Sequence, residues 1–432
     1  MKKIFFLSFI FTLALLRAQS PKIYAEQVIK KLTSPEFSGR GYVNDGMIKA
    51  SQEIAEQFEK IGLQKLNNSY FQPFTYPVNI IEKSDLKING KPLQIGKDYL
   101  VGAGSPSLKE TFVPLIFNPH VIDSLFEWED PSYFDKEIDR IKDHAVVFPN
   151  YKFPENLISR ESTANQFYKE IPQLLVQGEL NIAIPLIAEQ TSSKFIHTLS
   201  PIQSKTVDLF ISSETVPEEI KNIAIELKSN FNPAFNAQNV IGYIKGKRTD
   251  SLIVLTAHYD HLGKINDVIF PGANDNASGI ALLLSLAKVY IKEKPKFDMV
   301  FIAFAGEEAG LKGSQYFVNH PLIELKKIKF LINFDMVGTG EEGIQVVNGK
   351  EFNKQFNKLE TINYNYNYLK QVKIRGASCN SDHCPFYQKG VPSFFVYTLG
   401  GKSGYHDIYD SEVSLYAFDK LVSLFTKFID KL

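Results

Sequence analysis

Leu252-Ile253-Val254-Leu255-Thr256-Ala257-His258-Tyr259-Asp260-His261 is the stretch on which the fold class turns, an almost unbroken apolar run that ends in two histidines and a carboxylate. A strand buried on both faces needs apolar side chains at successive positions, whereas a strand with one wet face alternates. Residues 299–304, 329–334 and 393–397 read the same way. Between 252–257 and 299–304, residues 280–291 return apolar side chains at helical spacing, and Asn276 or Ser278 offers an N-terminal cap. Apolar strands that alternate with helices from residue 239 onward predict an α/β fold. Its central sheet should be mixed but mostly parallel, with helices on both faces.

Working outward, residues 23–32 and 47–61 have the spacing of amphipathic helices, joined through a glycine-bearing loop at 39–46. The texture then changes to short β-prone runs, such as 147–148 and 182–187, broken by Pro, Asn and Gly. This divides the chain into an N-terminal helical part of the main domain (19–78), an inserted β-rich domain (79–235) and the α/β domain proper (236–432). Residues 1–18 read as a secretory signal: Lys2 and Lys3, then uncharged residues 4–16, then Arg17-Ala18, with cleavage after Ala18. The apolar run is too short to span a bilayer comfortably, so no stable membrane insertion is expected once it is removed. No cysteine follows it to carry a lipid at that point. The expected location is exported, either periplasmic or extracellular. The whole chain has 48 basic and 48 acidic residues, and removing the signal leaves 45 against 48. Such a balance gives no field for nucleic acid or an anionic membrane. A hydrophobic content of 44% with 22% charged residues is ordinary globular usage, which excludes a disordered tail and a polytopic membrane protein.

Chemistry must therefore come from local clusters, and each buried run delivers one. Strand side chains repeat every two residues, so His258 and Asp260 share a side, where the carboxylate can hold one imidazole nitrogen while the other meets a metal. Alone, such a pair is more often a hydrogen-bonded surface couple. Asp275 lies in Pro271-Gly272-Ala273-Asn274-Asp275-Asn276, just before the helical stretch, where a capping role is the plainer reading. Glu307-Glu308 follows the run at 299–304, and Asp335 closes the run at 329–334. A carboxylate at the end of a buried element is costly unless paired or liganded. His406 lies in Gly404-Tyr405-His406-Asp407, beyond the run at 393–397. In open α/β sheets ligands collect beyond the carboxyl ends of strands, and independent accidents would scatter over both ends.

Two histidines with three to four carboxylates exceed what one catalytic zinc uses and match a pair of metals. Imidazole with carboxylate suits zinc better than magnesium or calcium, leaving cobalt or manganese as possible substitutes. Two such ions can share a carboxylate, acidify a water between them and polarise a carbonyl oxygen. On residue chemistry alone, His261 and His383 are equally eligible as ligands. Cys379 and Cys384 can pair in an oxidising compartment or remain buried thiols. Residues 338–343 fit a dinucleotide fingerprint on paper, but a strand-like run follows where a helix is required, so they read as a turn. Neither a serine-hydrolase elbow nor a His-Glu-x-x-His helix is present.

The ordered set His258-x-Asp260, Asp275 before a helix, Glu307-Glu308, Asp335 and His406 resembles the co-catalytic zinc exopeptidases, which include secreted bacterial aminopeptidases, glutamate carboxypeptidases and glutaminyl cyclases. The likeness covers residues 239–432, more faintly 23–76. It implies two zinc ions, with His258 and Asp335 on one, Glu308 and His406 on the other, and Asp275 bridging. It also implies Glu307 as general base, Asp260 orienting His258, and Tyr405 as either an oxyanion donor or a packed aromatic. Ser381-Asp382-His383 resembles a family segment that precedes the last ligand loop, and the insertion faintly resembles a protease-associated domain around residues 143–150. The activity implied is an aminopeptidase acting on peptides. A cyclase or carboxypeptidase on the same scaffold, or a non-catalytic relative, are the alternatives.

Overall fold

The computed structural model describes residues 20–117, 136, 140, 144–149, 186–190, 194–402 and 404–432. The expected signal and its cleavage point lie outside these residues, as do parts of the 182–187 run and of the 143–150 stretch. Among the described residues no helix is long and apolar enough to cross a membrane.

The main sheet contains β1 (Phe71–Ile88), β2 (Ile223–Ile244), β3 (Arg248–His258), β4 (Phe297–Phe304), β5 (Ile328–Phe334), β6 (Gly343–Val347), β7 (Val372–Ile374) and β8 (Ser393–Leu399), in the order β7-β6-β8-β5-β3-β4-β2-β1. At its centre β8, β5, β3 and β4 are mutually parallel. Towards the edges β6, β2 and β1 join antiparallel, while β7 lies parallel to β6. The helices are α1 (Pro21–Leu32), α2 (Gly46–Ile61), α3 (Ser278–Tyr290), α4 (Lys312–Asn319), α5 (Asn353–Tyr366), α6 (His383–Gln388) and α7 (Phe418–Asp430).

The continuous apolar run in β3 is explained by the two faces it serves. Ile253, Leu255 and Ala257 enter a core built with α1, α2, α3 and α7, including Phe58, Leu283 and Phe425. Leu252 and Val254 enter a second core with Phe317 of α4 and Phe386 of α6. Each such leucine or isoleucine contributes about 2 kcal/mol when fully buried, so neither face of β3 tolerates a charge. The largely apolar α3 is buried around most of its circumference, and the Gly279 N–H at its start donates to Asn276 Oδ1 at 2.9 Å. Residues 338–343 lead into β6, which pairs with β8, so they form a turn as their sequence implies.

A second sheet has five strands in the order Tyr99–Val101, Asp208–Ser212, Leu186–Gln190, Ala145–Phe148, Pro114–Ile116. Its own core includes Tyr99, Val147, Ile187, Leu209 and Ile211. The expected junctions at 78/79 and 235/236 do not fall in linkers. They fall inside β1 and β2, which pair through Tyr76↔Phe235 and onward to Ile88↔Ile223 as one long antiparallel ribbon. Ile223, Ile225 and Leu227 of β2 complete the core of the smaller sheet, while Val240 and Ile244 of the same strand belong to the main one.

Candidate metal centre

Parallel neighbours present their carboxyl ends at one edge, so the segments after β3, β4, β5 and β8 converge there. His258 is the last residue of β3, Glu307 and Glu308 follow β4, Asp335 follows β5, and His406 lies beyond β8. Asp275 comes from the irregular turn that enters α3. Its carboxylate does not cap that helix. Its Oδ1 lies 3.2 Å from His258 Nε2, and its Oδ2 lies 3.2 Å from His406 Nε2. His258 Nε2 is also 3.4 Å from Asp335 Oδ1, and His406 Nε2 is 3.0 Å from Glu308 Oε2. Donor atoms of His258, Glu307 and Asp335, and of His258, Asp275 and Glu308, each gather within 4.8 Å of one another.

These donors are held by a buried supporting layer. Asp260 accepts the Glu307 N–H on Oδ1 (3.2 Å) and the Glu308 N–H on Oδ2 (3.3 Å). Its carboxylate therefore fixes the turn bearing both glutamates. His258 Nδ1 faces the Asp260 backbone carbonyl at 3.2 Å, with the carboxylate Oδ1 more distant at 3.8 Å. The imidazole thus meets Asp260 through its main chain, and not through the carboxylate that the sequence pattern suggests. Beneath Asp335, Thr256 Oγ1 donates to Asn333 Oδ1 (2.7 Å), Asn333 Nδ2 donates to Ser381 Oγ (2.8 Å), and Ser381 Oγ donates to Asp335 Oδ2 (2.6 Å). Asp410 accepts the N–H groups of Asn274 and Asp275, both at 2.9 Å, tying the Asp275 turn to the His406 loop.

Arg40 is fully buried and carries the largest share of this support. Its guanidinium donates to the carbonyls of Tyr259 (2.8 Å), Pro271 (2.7 Å) and Gly272 (2.7 Å), and at 3.2 Å to those of Leu32 and Asp275. One side chain thereby locks the loop after β3 to the turn before α3. Gly272 adopts φ +60°, and a Cβ there would lie 2.5 Å from Arg40 Nη2 and 2.1 Å from the Asp275 carbonyl oxygen. Only glycine meets both demands.

The electrostatics show a cluster that calls for positive charge. Burial opposes a charge on His258, yet Glu307, Asp335 and Asp275 hold its pKa well above the ordinary imidazole value. His406 is likewise pushed up to about 11, against burial, by Asp275 and Glu308. Despite burial, His258 and His406 draw Asp275 well below the usual carboxylate range. Glu308 falls to about 2 through His261 and His406, against burial and the repulsion of Asp275. Glu307 behaves oppositely. Burial, reinforced by Asp335 and Glu308, holds its pKa well above the carboxylate range, as befits a group that takes up protons. Imidazole and carboxylate donors converging on shared points are a chemically apt set for two zinc ions.

All seven residues singled out in the sequence thus lie in one cluster. His261 joins at its margin, with Nδ1 2.7 Å from Glu308 Oε1. His383 does not; its Nε2 meets the Ser378 carbonyl oxygen at 2.8 Å, and Cys379 and Cys384 beside it form a disulfide. The Tyr405 ring stacks on His406 at 4.0 Å. Sequence reasoning missed Arg40 and Asp410. The available signal for the first was a lone arginine between Gly39 and Gly41, and for the second an aspartate four residues past His406.

Residues 239–420 match the sequence model of Peptidase family M28. Aminopeptidase YwaD of Bacillus subtilis is 34% identical over 181 residues, which is 40% of this chain and 38% of that protein. A probable zinc metalloprotease of Pyricularia oryzae is 34% identical over 137 residues, 30% of this chain and 26% of that protein. The chain therefore spans well under half the length of these curated relatives. A zinc aminopeptidase structure from Bacillus subtilis shares the fold with TM-score 0.67 at 20% identity, covering 95% of this chain and 94% of the other. Residues 239–420 are thus similar in sequence to peptidase family M28, and it is this part of the chain that carries the ligand-type residues at the carboxyl edge of the parallel strands.

Proposed function

We propose that this chain is an exported zinc exopeptidase that holds two zinc ions and releases N-terminal residues from peptides. The observation that carries the reading is Asp275, whose two carboxylate oxygens each face the Nε2 of a different histidine. His258 with Asp335 would hold one zinc, His406 with Glu308 the other, and Asp275 would bridge. When bound, the zinc pair supplies an acidified water and stabilisation of charge on the substrate carbonyl oxygen. Glu307 takes the proton from the attacking water and returns it to the departing amine, a role suited to its raised pKa. Asp260 aims Glu307 and Glu308 through their backbone N–H groups. The Tyr405 ring shields His406 from one side. Export is supported by the sequence of residues 1–18 and by the Cys379–Cys384 disulfide, a bond suited to an oxidising compartment.

Elemental analysis of purified protein, joined to a panel of aminoacyl-anilides with and without chelator, tests this. The expected result is zinc at two per chain and hydrolysis that chelation abolishes and zinc restores. Cyclisation of N-terminal glutamine peptides without anilide hydrolysis would replace the aminopeptidase reading with a cyclase, and release of C-terminal residues would replace it with a carboxypeptidase. Bound zinc with no activity on any of these substrates would make the chain a binding protein.

A further inference from the structure

His406 is gripped from outside the M28 match. Its Nδ1 lies 3.1 Å from the backbone carbonyl oxygen of His197, and the His197 N–H donates to the His406 carbonyl at 2.8 Å. His197 belongs to residues 194–200, a strap that lies in the chain between Leu186–Gln190 and Asp208–Ser212, two strands of the smaller sheet. The strap is itself fastened. The His197 ring is 4% exposed and stacks on Phe270 at 4.8 Å, and the Ser200 carbonyl accepts the Asn79 N–H at 2.8 Å. Burial keeps the His197 ring uncharged, with a pKa near 3.

A carbonyl oxygen only accepts, so His406 must carry its proton on Nδ1 when it meets the strap. Nε2 is then the atom turned toward Asp275 and Glu308, where a zinc would take the place of its proton. The backbone of His406 also needs external restraint. Its φ of +52° is in the left-handed region, which a residue other than glycine adopts at a cost of about 1 kcal/mol. The bond from the His197 N–H supplies a partner for its carbonyl in that conformation.

We propose that residues 194–200, anchored by His197, are a positioning element of the metal centre: the strap selects the tautomer and orientation of His406, so the β-rich insertion is a working part of metal binding. The inference rests on His406 being a zinc ligand. By linkage, a strap that favours the ligand form of His406 must itself be stabilised when zinc binds, although it contributes no ligand.

Hydrogen exchange of the full wild-type chain, read by mass spectrometry at increasing zinc, tests this without altering any residue. Peptides covering 194–200 should exchange at least about tenfold more slowly at saturating zinc, as expected for coupling of 1.4 kcal/mol or more. The strand Asp208–Ser212 in the same smaller sheet should not respond. Unchanged exchange at 194–200 in protein that does bind zinc would overturn the proposal. Zinc affinity by chelator competition gives a second arm. H197A should weaken zinc binding about 10- to 100-fold, and H197F, which retains a stacking ring, should recover most of that loss. Equal affinity of both variants and wild type would also overturn the proposal. Should H197A fail to fold, the exchange experiment still decides. H406A separates the two levels: if it binds both zinc ions normally, the ligand assignment fails rather than the strap.

Discussion

Ser381→Ala removes one hydroxyl with two buried duties. That hydroxyl donates to Asp335 Oδ2 at 2.6 Å and accepts the Asn333 amide at 2.8 Å, and both Ser381 and Asn333 are fully buried. Orphaning the buried Asn333 side-chain N–H costs about 1–3 kcal/mol. Asp335 loses a charge-assisted bond that restricts its rotation, and outer partners of this type are worth about 10- to 100-fold in metal affinity, or 1.4–2.7 kcal/mol. Two separate readouts follow. Chelator competition should show zinc bound about 10- to 100-fold more weakly, and denaturant unfolding in the presence of chelator should show stability lower by about 2 kcal/mol. Thr256→Val, one step further out in the relay, should affect zinc less than about threefold, since Asn333 keeps its bond to Ser381. Reduced stability with unchanged zinc affinity in Ser381→Ala would refute the reasoning, by showing that the relay supports only packing.

Glu307→Gln should bind zinc as the wild type does and lose about 10²- to 10⁴-fold in kcat; wild-type turnover would remove the base from the mechanism. His258→Ala should lose metal outright, and elemental analysis showing an undiminished zinc content would contradict its placement. Arg40→Met leaves several buried carbonyls without a donor, so at least about 3 kcal/mol of stability should disappear; an unchanged denaturation midpoint would show those bonds to be replaceable. Asp208 is raised by burial from 3.8 to about 7, so its folded form prefers to hold a proton. Wild-type stability should therefore fall as pH rises from about 4 to about 7 and level off above. Asp208→Asn lacks this effect and should gain over wild type by nothing near pH 4 and on the order of 2 kcal/mol at pH 8. A gap that does not change with pH would rule out that carboxylate as its source.

The parallel core was legible because physics writes it locally. A doubly buried strand such as β3 has little choice but an apolar run, and a carboxylate or histidine at its end is conspicuous. The cluster was legible for the same reason, since Glu307, Glu308 and Asp335 each stand against a hydrophobic background. What escaped was interaction through the backbone. Asp260 meets His258 by its carbonyl, Arg40 grips five carbonyls, and His197 holds His406 by main-chain atoms. Such partners leave no side-chain signature, because any residue supplies a carbonyl. The ribbon escaped too: the expected insertion edges were placed where composition changes, while β1 and β2 continue through that change, with one end of each packing in either core.

That ribbon dictates how the molecule can be cut. Excision at residues 79 and 235 would sever two paired strands in mid-ladder and leave raw edges prone to intermolecular pairing. A cut at a register-matched couple further out, such as Ser84 with Leu227, leaves ends close enough for a two-residue hairpin loop. The shortened protein would keep the two strands paired while lacking the clasp on His406, and so would isolate the contribution of the smaller lobe to zinc affinity.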